Sequence, residues 1–265
     1  MGTLDALRGR LAELGSVVVA YSGGVDSALL AHQAAGVLGQ RALAVTAVSG
    51  SLAEDELAAC ERTARSWGLG WRTVATDELG RAEYAANGAD RCWHCKSALM
   101  DALAPVAEAM GATVALGVNL DDLGEHRPGQ EAAAGRGAAF PLVDAGFTKA
   151  DVRSAARRLG LEVWDKPATA CLASRIPYGT PVTIGRLDQV ARAEASLRRL
   201  GYGQLRVRHY GDLARLELLQ ADLARAVAER EAIVAAVRDA GYRYVTLDLE
   251  GFRSGNLNAA LGAAR

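Results

Sequence analysis

Net charge and long apolar segments are both nearly absent from this sequence. Its 265 residues carry 31 acidic and 30 basic side chains, a net charge of -1, so no overall field attracts nucleic acid or an anionic membrane. The longest apolar runs, such as Val17–Ala20, have the length of a strand and fall far short of a membrane span. Residues 1–5 lack the basic start and apolar core of a signal peptide. We therefore expect a cytoplasmic protein without a membrane partner.

Low-complexity segments and repeats of fixed period are also missing. With 50% hydrophobic and 23% charged residues, the chain is expected to bury a real core, which excludes disorder and collagen-like structure. Its length suits a large domain and a small one. There are only four cysteines. In the cytoplasm they indicate metal binding, catalysis or an incidental occurrence rather than a disulfide framework.

Strand-like and helix-like segments alternate in the first two thirds of the chain. This alternation predicts an α/β fold, with a parallel sheet covered by helices on both faces, for a domain at residues 1–170. The predicted strands are 17–21, 42–48, 71–75 and 113–118, and the predicted helices are 25–38, 54–67, 93–110 and 149–159.

The pattern of predicted helices and strands changes after Cys171. Residues 176–181 are dense in turn formers, and the rest predicts a smaller α+β domain at residues 171–265. Its predicted elements are a helix at 186–200, adjacent strands at 204–209 and 213–218, a helix at 221–239 and a strand at 242–247.

A glycine-rich loop joins the first predicted strand to the first predicted helix. It consists of Ser22, Gly23, Gly24, Val25, Asp26 and Ser27. Its glycines let the backbone approach a ligand, and its amides point to the anion site at the helix N-terminus, so a phosphate fits there. No Lys-Ser/Thr pair closes the loop, which excludes the Walker pattern. Asp26 suits a magnesium ion that bridges phosphates. The alternative is a glycine-rich turn in which an Asp-Ser pair caps the helix.

Two further polar groups stand at predicted strand ends or edges. Asp121 and Asp122 follow the strand that ends near Val118, at the carboxyl edge where open α/β sheets bind ligands. The alternative is an Asp-rich surface turn. Arg206 and Arg208 alternate along a strand and share a face that suits phosphate. The alternative for them is a pair of solvated edge charges.

The glycine-rich loop resembles the pyrophosphate loop of the ATP pyrophosphatase superfamily. Within it, the chain is most similar to the LarE family of ATP-dependent sulfur transferases, and the segment around Cys171 is specific to that family. The matching stretches are 22–27, 87–96, 117–122, 127–129, 166–179, 206–208 and 244–253.

The resemblance implies a reaction. LarE enzymes use ATP to activate a carboxylate of pyridinium-3,5-biscarboxylic acid mononucleotide as an acyl adenylate, releasing pyrophosphate and then AMP. Sulfur replaces oxygen on the way to the nickel-pincer cofactor of lactate racemase. The resemblance also implies that Asn119 and Asp122 contact the nucleotide, that Arg253 joins Arg206 and Arg208 at the substrate phosphate, and that the chain forms a closed homo-oligomer.

The cysteines decide which mechanism the resemblance implies. Cys171 matches the cysteine that, in one branch of the family, attacks the acyl adenylate and gives up its sulfur, becoming dehydroalanine. Nearby Arg175 and Lys166 are positive groups that favour a thiolate. In another branch, Cys92, Cys95 and Cys171 together would hold a [4Fe-4S] cluster that binds sulfide at its open iron. Because the chain has both Cys92 and Cys95, we expect the cluster.

Alternatives to the cluster and to the enzyme stay open at this stage. One alternative is zinc held by the three cysteines with His94 or another residue, and the others are a redox disulfide or an incidental Cys92–Cys95 pair. Cys60 follows the apolar periodicity of a helix and is expected in the core, and His126 and His209 are expected in loops or at the surface.

Alternative functions also stay open. A tRNA thiolase would need a strongly basic face or an added RNA-binding domain, and the net charge of -1 argues against it, so we expect no nucleic-acid partner. A non-catalytic nucleotide sensor would not need the three cysteines together with Lys96 and Arg175.

Overall fold

A computed structural model describes residues 2–123, 128–167 and 170–253 of the protein. Their structure divides into two compact units. The first unit contains residues 2–78, 90–123 and 128–167, and the second contains residues 79–89 and 170–253. The short segment 79–89 thus belongs to the second unit, although it lies inside the first part of the sequence.

The elements of the described chain run in the following order. The helices are α1 (Leu4–Leu14), α2 (Val25–Leu38), α3 (Glu54–Ser66), α4 (Ala82–Ala85), α5 (Arg91–Met110), α6 (Pro128–Ala134), α7 (Pro141–Asp144), α8 (Lys149–Arg158), α9 (Ile184–Arg199), α10 (Leu223–Ala228) and α11 (Arg230–Asp239). The strands are β1 (Val17–Ala20), β2 (Ala42–Val48), β3 (Trp71–Ala75), β4 (Thr113–Leu116), β5 (Leu205–Tyr210), β6 (Leu213–Leu218) and β7 (Tyr244–Leu247).

The first unit is built on a four-stranded parallel sheet in the order β3-β2-β1-β4. Successive side chains of β1 enter opposite layers of the core, as the two-residue period of a strand requires. Val17 and Val19 pack with helix α2, whereas Val18 packs with Leu103 of α5. The prediction of a parallel sheet with helices on both faces is confirmed.

The parallel sheet also sets where a ligand can bind. Strand β1 ends at Ala20, and helix α2 begins at Val25 with Gly24 as its N-cap. Only a four-residue turn separates the carboxyl end of the central strand from a helix N-terminus. Neighbouring β4 ends at Leu116, so the turn at 117–122 emerges at the same edge. Both predicted ligand loops therefore lie at the carboxyl edge of one sheet.

The second unit has a small mixed sheet in the order β5-β6-β7. Strands β5 and β6 are antiparallel, and β6 and β7 are parallel. Leu197 of α9, Val207, Leu216 and Val237 of α11 contribute to its core. The predicted α+β character is confirmed, but the prediction of one helix at 221–239 is wrong. The chain forms a 3-10 turn at Gln220–Asp222 and then two helices that meet at Glu229, whose carboxylate accepts hydrogen bonds from Tyr202 and Arg225.

Segment 79–89 is tied to the second unit by Asn87. Asn87 is buried and has a φ of +59°, a left-handed conformation that asparagine tolerates better than most residues. Its side-chain amide donates to the carbonyls of Pro177 and Thr180, both at 2.7 Å. Both carbonyls belong to a turn-rich segment outside the helices and strands, and the Asn87 amide gives each of them a side-chain donor.

Helix α1 has no counterpart in the sequence-based prediction. Thr3 caps it by accepting from the amide of Ala6, and Leu7 and Leu11 are buried on one face. Among the described residues, no helix combines the length and apolar character needed to cross a membrane.

Candidate ATP and sulfur-transfer site

The loop 22–27 is held in shape by hydrogen bonds among its own residues. The Ser22 amide donates to Ser27 Oγ at 3.2 Å, and Ser27 Oγ donates to the Gly24 carbonyl at 3.1 Å. Its side chains therefore brace the backbone of the loop itself. It leads directly into α2, whose first amides carry the partial positive charge of a helix N-terminus.

Two glycines are required by close approaches around this loop. Gly23 has a φ of +69°, and a Cβ there would lie 2.7 Å from Cys60 Sγ. A Cβ on Gly117, just after β4, would lie 2.6 Å from the amide nitrogen of Ser27. The backbone after β4 therefore touches the start of α2, which brings the 117–122 turn against the loop. Gly24 differs, because a Cβ there would meet only Ser22 Oγ, at 3.6 Å.

Asp26 is the charged centre of this region. Its carboxylate accepts from the Asn119 side-chain amide at 3.0 Å and forms an ion pair with Lys149. The backbone amide of Lys149 in turn donates to Asp121 Oδ2 at 2.7 Å. The loop, the turn after β4 and the start of α8 are thus joined through Asp26.

Sequence reasoning missed Lys149. The residue stands at the first position of α8, directly after the N-cap Thr148, which forms a capping box with Asp151. A Thr-x-x-Asp pattern before a helical run is a recognisable start signal, and the helix predicted at 149–159 begins at Lys149 as expected. The pairing of Lys149 with Asp26 could not be predicted.

Asp122 serves the turn itself. Its carboxylate accepts from the Asn119 amide at 3.1 Å, and the Asn119 side chain accepts from the Asp121 amide at 3.0 Å. These reciprocal bonds form a capping box on the 3-10 turn Leu120–Asp122. The structure thus gives Asp122 the task of holding Asn119 in place.

A cavity of about 200 Å³ opens beside the loop, at the carboxyl ends of β1, β2 and β4. One part of it is lined by Ser22, Gly24, Asp26 and Ser27, and Lys96 of α5 adds a positive charge to the lining. Apolar side chains complete the wall: Val45, Leu52, Leu99, Leu116 and Val118. A pocket with one polar, amide-rich part and one apolar part suits a ligand that joins phosphates to an aromatic base.

Cys60 and Lys166 lie beneath the loop. Cys60 is fully buried, as the sequence pattern indicates, and burial raises the pKa of its thiol. Lys166 pairs with Glu56 at 2.7 Å and donates to the Gly23 carbonyl at 3.2 Å. Its ammonium therefore supports the backbone of the loop from below.

The three cysteines of the predicted cluster divide between the two units. Cys92 and Cys95 lie near the start of α5, three residues apart and therefore on one side of the helix. Cys92 is exposed and Cys95 is half-buried, and exposed Cys171 belongs to the second unit. Within the residues that the structure describes, no group of three or more His, Cys, Asp or Glu side chains is arranged to hold a metal ion.

Cys171 begins a short turn that Arg175 organises. Cys171 is the N-cap of the 3-10 turn Leu172–Arg175, and its carbonyl accepts from the Ser174 amide at 2.9 Å. Arg175 is buried, with two of its nitrogens on Glu194 at 2.7 and 3.1 Å and the third on the Ala170 carbonyl at 2.7 Å. Its guanidinium is thus committed to the protein.

Arg206 and Arg208 are both buried, with Val207 directed to the opposite side of β5. Arg208 forms a two-point ion pair with Glu217, 2.9 Å at each nitrogen. Arg206 lies over the ring of Phe252 and donates to the Arg253 carbonyl at 3.3 Å. Among the described residues, no carboxylate pairs with Arg206. Burial, and then the positive charges of Arg175 and Arg208, lower the pKa of Arg206.

The remaining predicted positions divide as follows. Arg253 pairs with Glu250 at an exposed position. His209 lies on β5 and is buried against Tyr242, so its predicted surface position is wrong. The residues next to it in the strand do not reveal which face packs on the core. His126 and Arg127 lie outside the described residues, as do Ala168 and Thr169 of the stretch before Cys171.

No protein-family model matches this sequence, but three curated proteins align with almost all of it. An uncharacterized protein of Synechocystis sp. is 46% identical over 97% of both chains. An uncharacterized protein of Methanocaldococcus jannaschii is 28% identical over 90% of this chain and 91% of its own. Pyridinium-3,5-bisthiocarboxylic acid mononucleotide synthase of Lactiplantibacillus plantarum is 36% identical over 96% of this chain and 93% of its own. An alignment of this identity and extent places the protein in the LarE family.

Proposed function

We propose that this protein is an ATP-dependent sulfurtransferase that replaces carboxylate oxygen by sulfur in pyridinium-3,5-biscarboxylic acid mononucleotide. One observation carries the proposal: the relative named as a synthase of the bisthiocarboxylic product aligns over 96% of this chain. The geometry of loop 22–27 supports it, because the loop presents helix-terminal amides beside a cavity with an apolar wall.

The first step is adenylation of the substrate. A carboxylate oxygen attacks the α-phosphorus of ATP, pyrophosphate leaves, and an acyl adenylate forms. We assign the pyrophosphate to the backbone amides of Gly24 and Val25 at the start of α2, with positive charge supplied by Lys96 and Lys149. Asp26 offers one carboxylate for magnesium, which suits an ion that takes its other oxygens from phosphates and water. When bound, magnesium offsets the charge of the leaving pyrophosphate.

The second step is sulfur transfer. A sulfur nucleophile attacks the acyl carbon, and AMP leaves with the original carboxylate oxygen. Arg206 is the group we assign to the phosphate of the mononucleotide, because it is a buried cation with no carboxylate partner in the described chain. Cys171 is exposed at the start of a fixed turn and is the thiol that takes part in the transfer.

We assign the sulfur source to a [4Fe-4S] cluster. Cys92 and Cys95, three residues apart near the start of α5, would be two of its ligands, and exposed Cys171 has the same donor chemistry. A cluster held by three thiolates would supply one iron that can accept sulfide. The contrasting mechanism uses the sulfur of Cys171 itself, and then each chain acts once.

Gly24→Ala tests the phosphate role of the loop. The added methyl group has room in the protein, so we expect little change in melting temperature but at least a ~tenfold loss of substrate-dependent pyrophosphate release. Asp26→Asn should lose the same activity. If Gly24→Ala releases pyrophosphate at the wild-type rate, the loop is only a helix cap and the adenylation site lies elsewhere.

The mass of the intact protein separates the two sulfur sources. After turnover with excess sulfide, we expect the wild type to keep its mass, and Cys92→Ala, Cys95→Ala and Cys171→Ala each to lose the absorbance of the anaerobically reconstituted cluster. A loss of one H₂S per product, with dehydroalanine at position 171 and full activity of Cys92→Ala, would contradict the cluster and establish the sacrificial mechanism.

A further inference from the structure

Two glutamates in the second unit are completely buried. Glu194 lies on α9 and Glu217 on β6, and neither side chain has any exposed surface. Buried carboxylates are costly unless they are paired and fully hydrogen bonded, and both are. Each holds an arginine whose remaining donors reach the backbone of one short segment, 170–174.

Glu194 collects donors from three parts of the second unit. Arg175 donates to both of its oxygens, at 2.7 and 3.1 Å. The backbone amide of Val207 on β5 adds a third bond at 3.1 Å, and Arg198, one helix turn away, adds a fourth at 3.0 Å. The carboxylate therefore fixes the position of the Arg175 guanidinium relative to both α9 and β5.

Arg175 passes this fixed position on to the Cys171 turn. Its Nη1 atom donates to the Ala170 carbonyl at 2.7 Å, to the Cys171 carbonyl at 3.3 Å and to Ser174 Oγ at 3.0 Å. A planar guanidinium held on one side by a carboxylate has its other donors in a set direction. The backbone on either side of the Cys171 side chain is thus bound to a group that cannot turn.

Glu217 repeats the arrangement from the other side of the turn. It holds Arg208 through two bonds of 2.9 Å, and Arg215 adds another of the same length. Arg208 then donates to the Ser174 carbonyl at 2.7 Å. The two arginines together engage three carbonyls of an irregular segment that has only a four-residue 3-10 turn of its own.

This rigidity is confined to the backbone, because the Cys171 side chain is exposed. A thiol that must meet an acyl carbon, or hold part of a sulfur carrier, gains rate when its position is set before the reaction. Neither glutamate touches the thiol. Both act through an arginine.

We propose that Glu194 and Glu217 are positioning residues for sulfur transfer, which they support by fixing the Cys171 turn through Arg175 and Arg208. The inference rests on the proposed function for its catalytic consequence, but its structural content stands apart from it. It also separates the two strand arginines: Arg208 holds the turn, and Arg206 faces the substrate anion.

The test compares Glu194→Gln and Glu217→Gln with Arg199→Ala. Glutamine keeps the size of the side chain but loses the charge and one acceptor of the two-point pair. Arg199→Ala is the control, because it removes an exposed arginine of the same helix, whose side chain donates to Ser196 Oγ and not to Glu194. Circular dichroism establishes that each variant is folded.

Two readouts are expected to change in the glutamine variants. Hydrogen exchange of the Ser174 and Ile176 amides, which are bonded within the turn, should speed up at least ~tenfold. The rate of sulfur transfer should fall at least ~tenfold while substrate-dependent pyrophosphate release stays within about twofold of wild type. Arg199→Ala should match wild type in both readouts.

Wild-type exchange and wild-type transfer in both glutamine variants would overturn the inference. An equal fall of pyrophosphate release and transfer would also overturn it, because it would show a general effect on the chain rather than on the turn. If wild-type protein releases no pyrophosphate with substrate, the proposed function fails, and the exchange measurement alone still decides whether the glutamates fix the turn.

Discussion

Lys149 pairs with Asp26, although 123 residues separate them in the sequence. The pair joins the N-terminus of α8 to the N-terminus of α2, and the Asn119 side chain completes the contact from the turn after β4. Three segments that are distant in the sequence therefore present their polar groups to one edge of the parallel sheet. In the proposed mechanism, Lys149 exchanges its bond to Asp26 for one to a phosphate when ATP binds.

Lys149→Ala should lower kcat/KM for ATP in the pyrophosphate-release assay by roughly ten- to a hundredfold, since a charged hydrogen bond contributes about 1.5 to 3 kcal/mol. Arg158→Ala, an exposed basic residue in the last turn of the same helix, is the control and should leave kcat/KM unchanged. Equal values for Lys149→Ala and wild type would show that the ion pair only shapes the resting site.

Gly117→Ala should disrupt the contact between the turn after β4 and the start of α2. The new Cβ would lie 2.6 Å from the Ser27 amide, so backbone must shift, and we expect a loss of 1 to 3 kcal/mol, approximately, in the free energy of unfolding. Gly36→Ala is the matched control. Its Cβ meets nothing within 4 Å, and alanine should stabilise helix α2 by up to ~1 kcal/mol. Denaturant unfolding of the two variants measures both effects, and a neutral Gly117→Ala would refute the close packing.

Arg206→Ala should weaken substrate binding, whereas Arg208→Ala should lower folding stability. Removing Arg206 is expected to weaken binding of the mononucleotide roughly ten- to a hundredfold with little loss of stability, because it has no ion-pair partner in the described chain to leave behind. Removing Arg208 deprives the buried Glu217 carboxylate of its two-point partner, which should cost on the order of 3 kcal/mol of folding free energy. Calorimetric binding and thermal unfolding distinguish the two. A stable Arg208→Ala that binds no substrate would return Arg208 to the phosphate site.

The local parts of this structure follow from the sequence. Strands β2 and β3 have the predicted bounds, because short apolar runs between turn formers carry their signal in neighbouring residues. The helix predicted at 93–110 forms at Arg91–Met110, so the Cys92–Cys95 pair lies near its start. The break at Glu229 was not predictable, since it coincides with a hydrogen bond from Tyr202, 27 residues away.

Isolated charged residues are the parts of the site that sequence reasoning could not find. Glu194 lies in a helix rich in arginine, where a carboxylate is usually exposed to solvent. Its burial depends on Arg175 and on the Val207 amide, and both contacts form only after α9 packs on β5. Lys149 and Glu217 were missed for the same reason. Motifs identify the loops that meet the ligand, but not the charges that hold those loops.

His209 should make folding stability depend on pH. Burial, and then Arg186, lower its pKa below the ordinary value of 6.5, so the unfolded chain binds a proton more readily than the folded one. Its contribution is therefore full above about pH 6.5 and is lost as the pH falls further. Thermal unfolding between about pH 8 and pH 5 should show a smaller decline for His209→Gln than for wild type. His32, whose pKa is also lowered by burial and by Arg8, leaves part of the decline in place. Identical declines would contradict a role for His209.

The most direct test of the central claim follows one oxygen atom. The substrate is prepared with oxygen-18 in its carboxylates and incubated with the protein, ATP, magnesium and sulfide, and the products are analysed by mass spectrometry. If the carboxylate is adenylated before sulfur enters, each sulfur gained by the mononucleotide should be matched by one AMP that carries a heavy oxygen in its phosphate. AMP without heavy oxygen, or ADP and phosphate in place of AMP and pyrophosphate, would contradict the account.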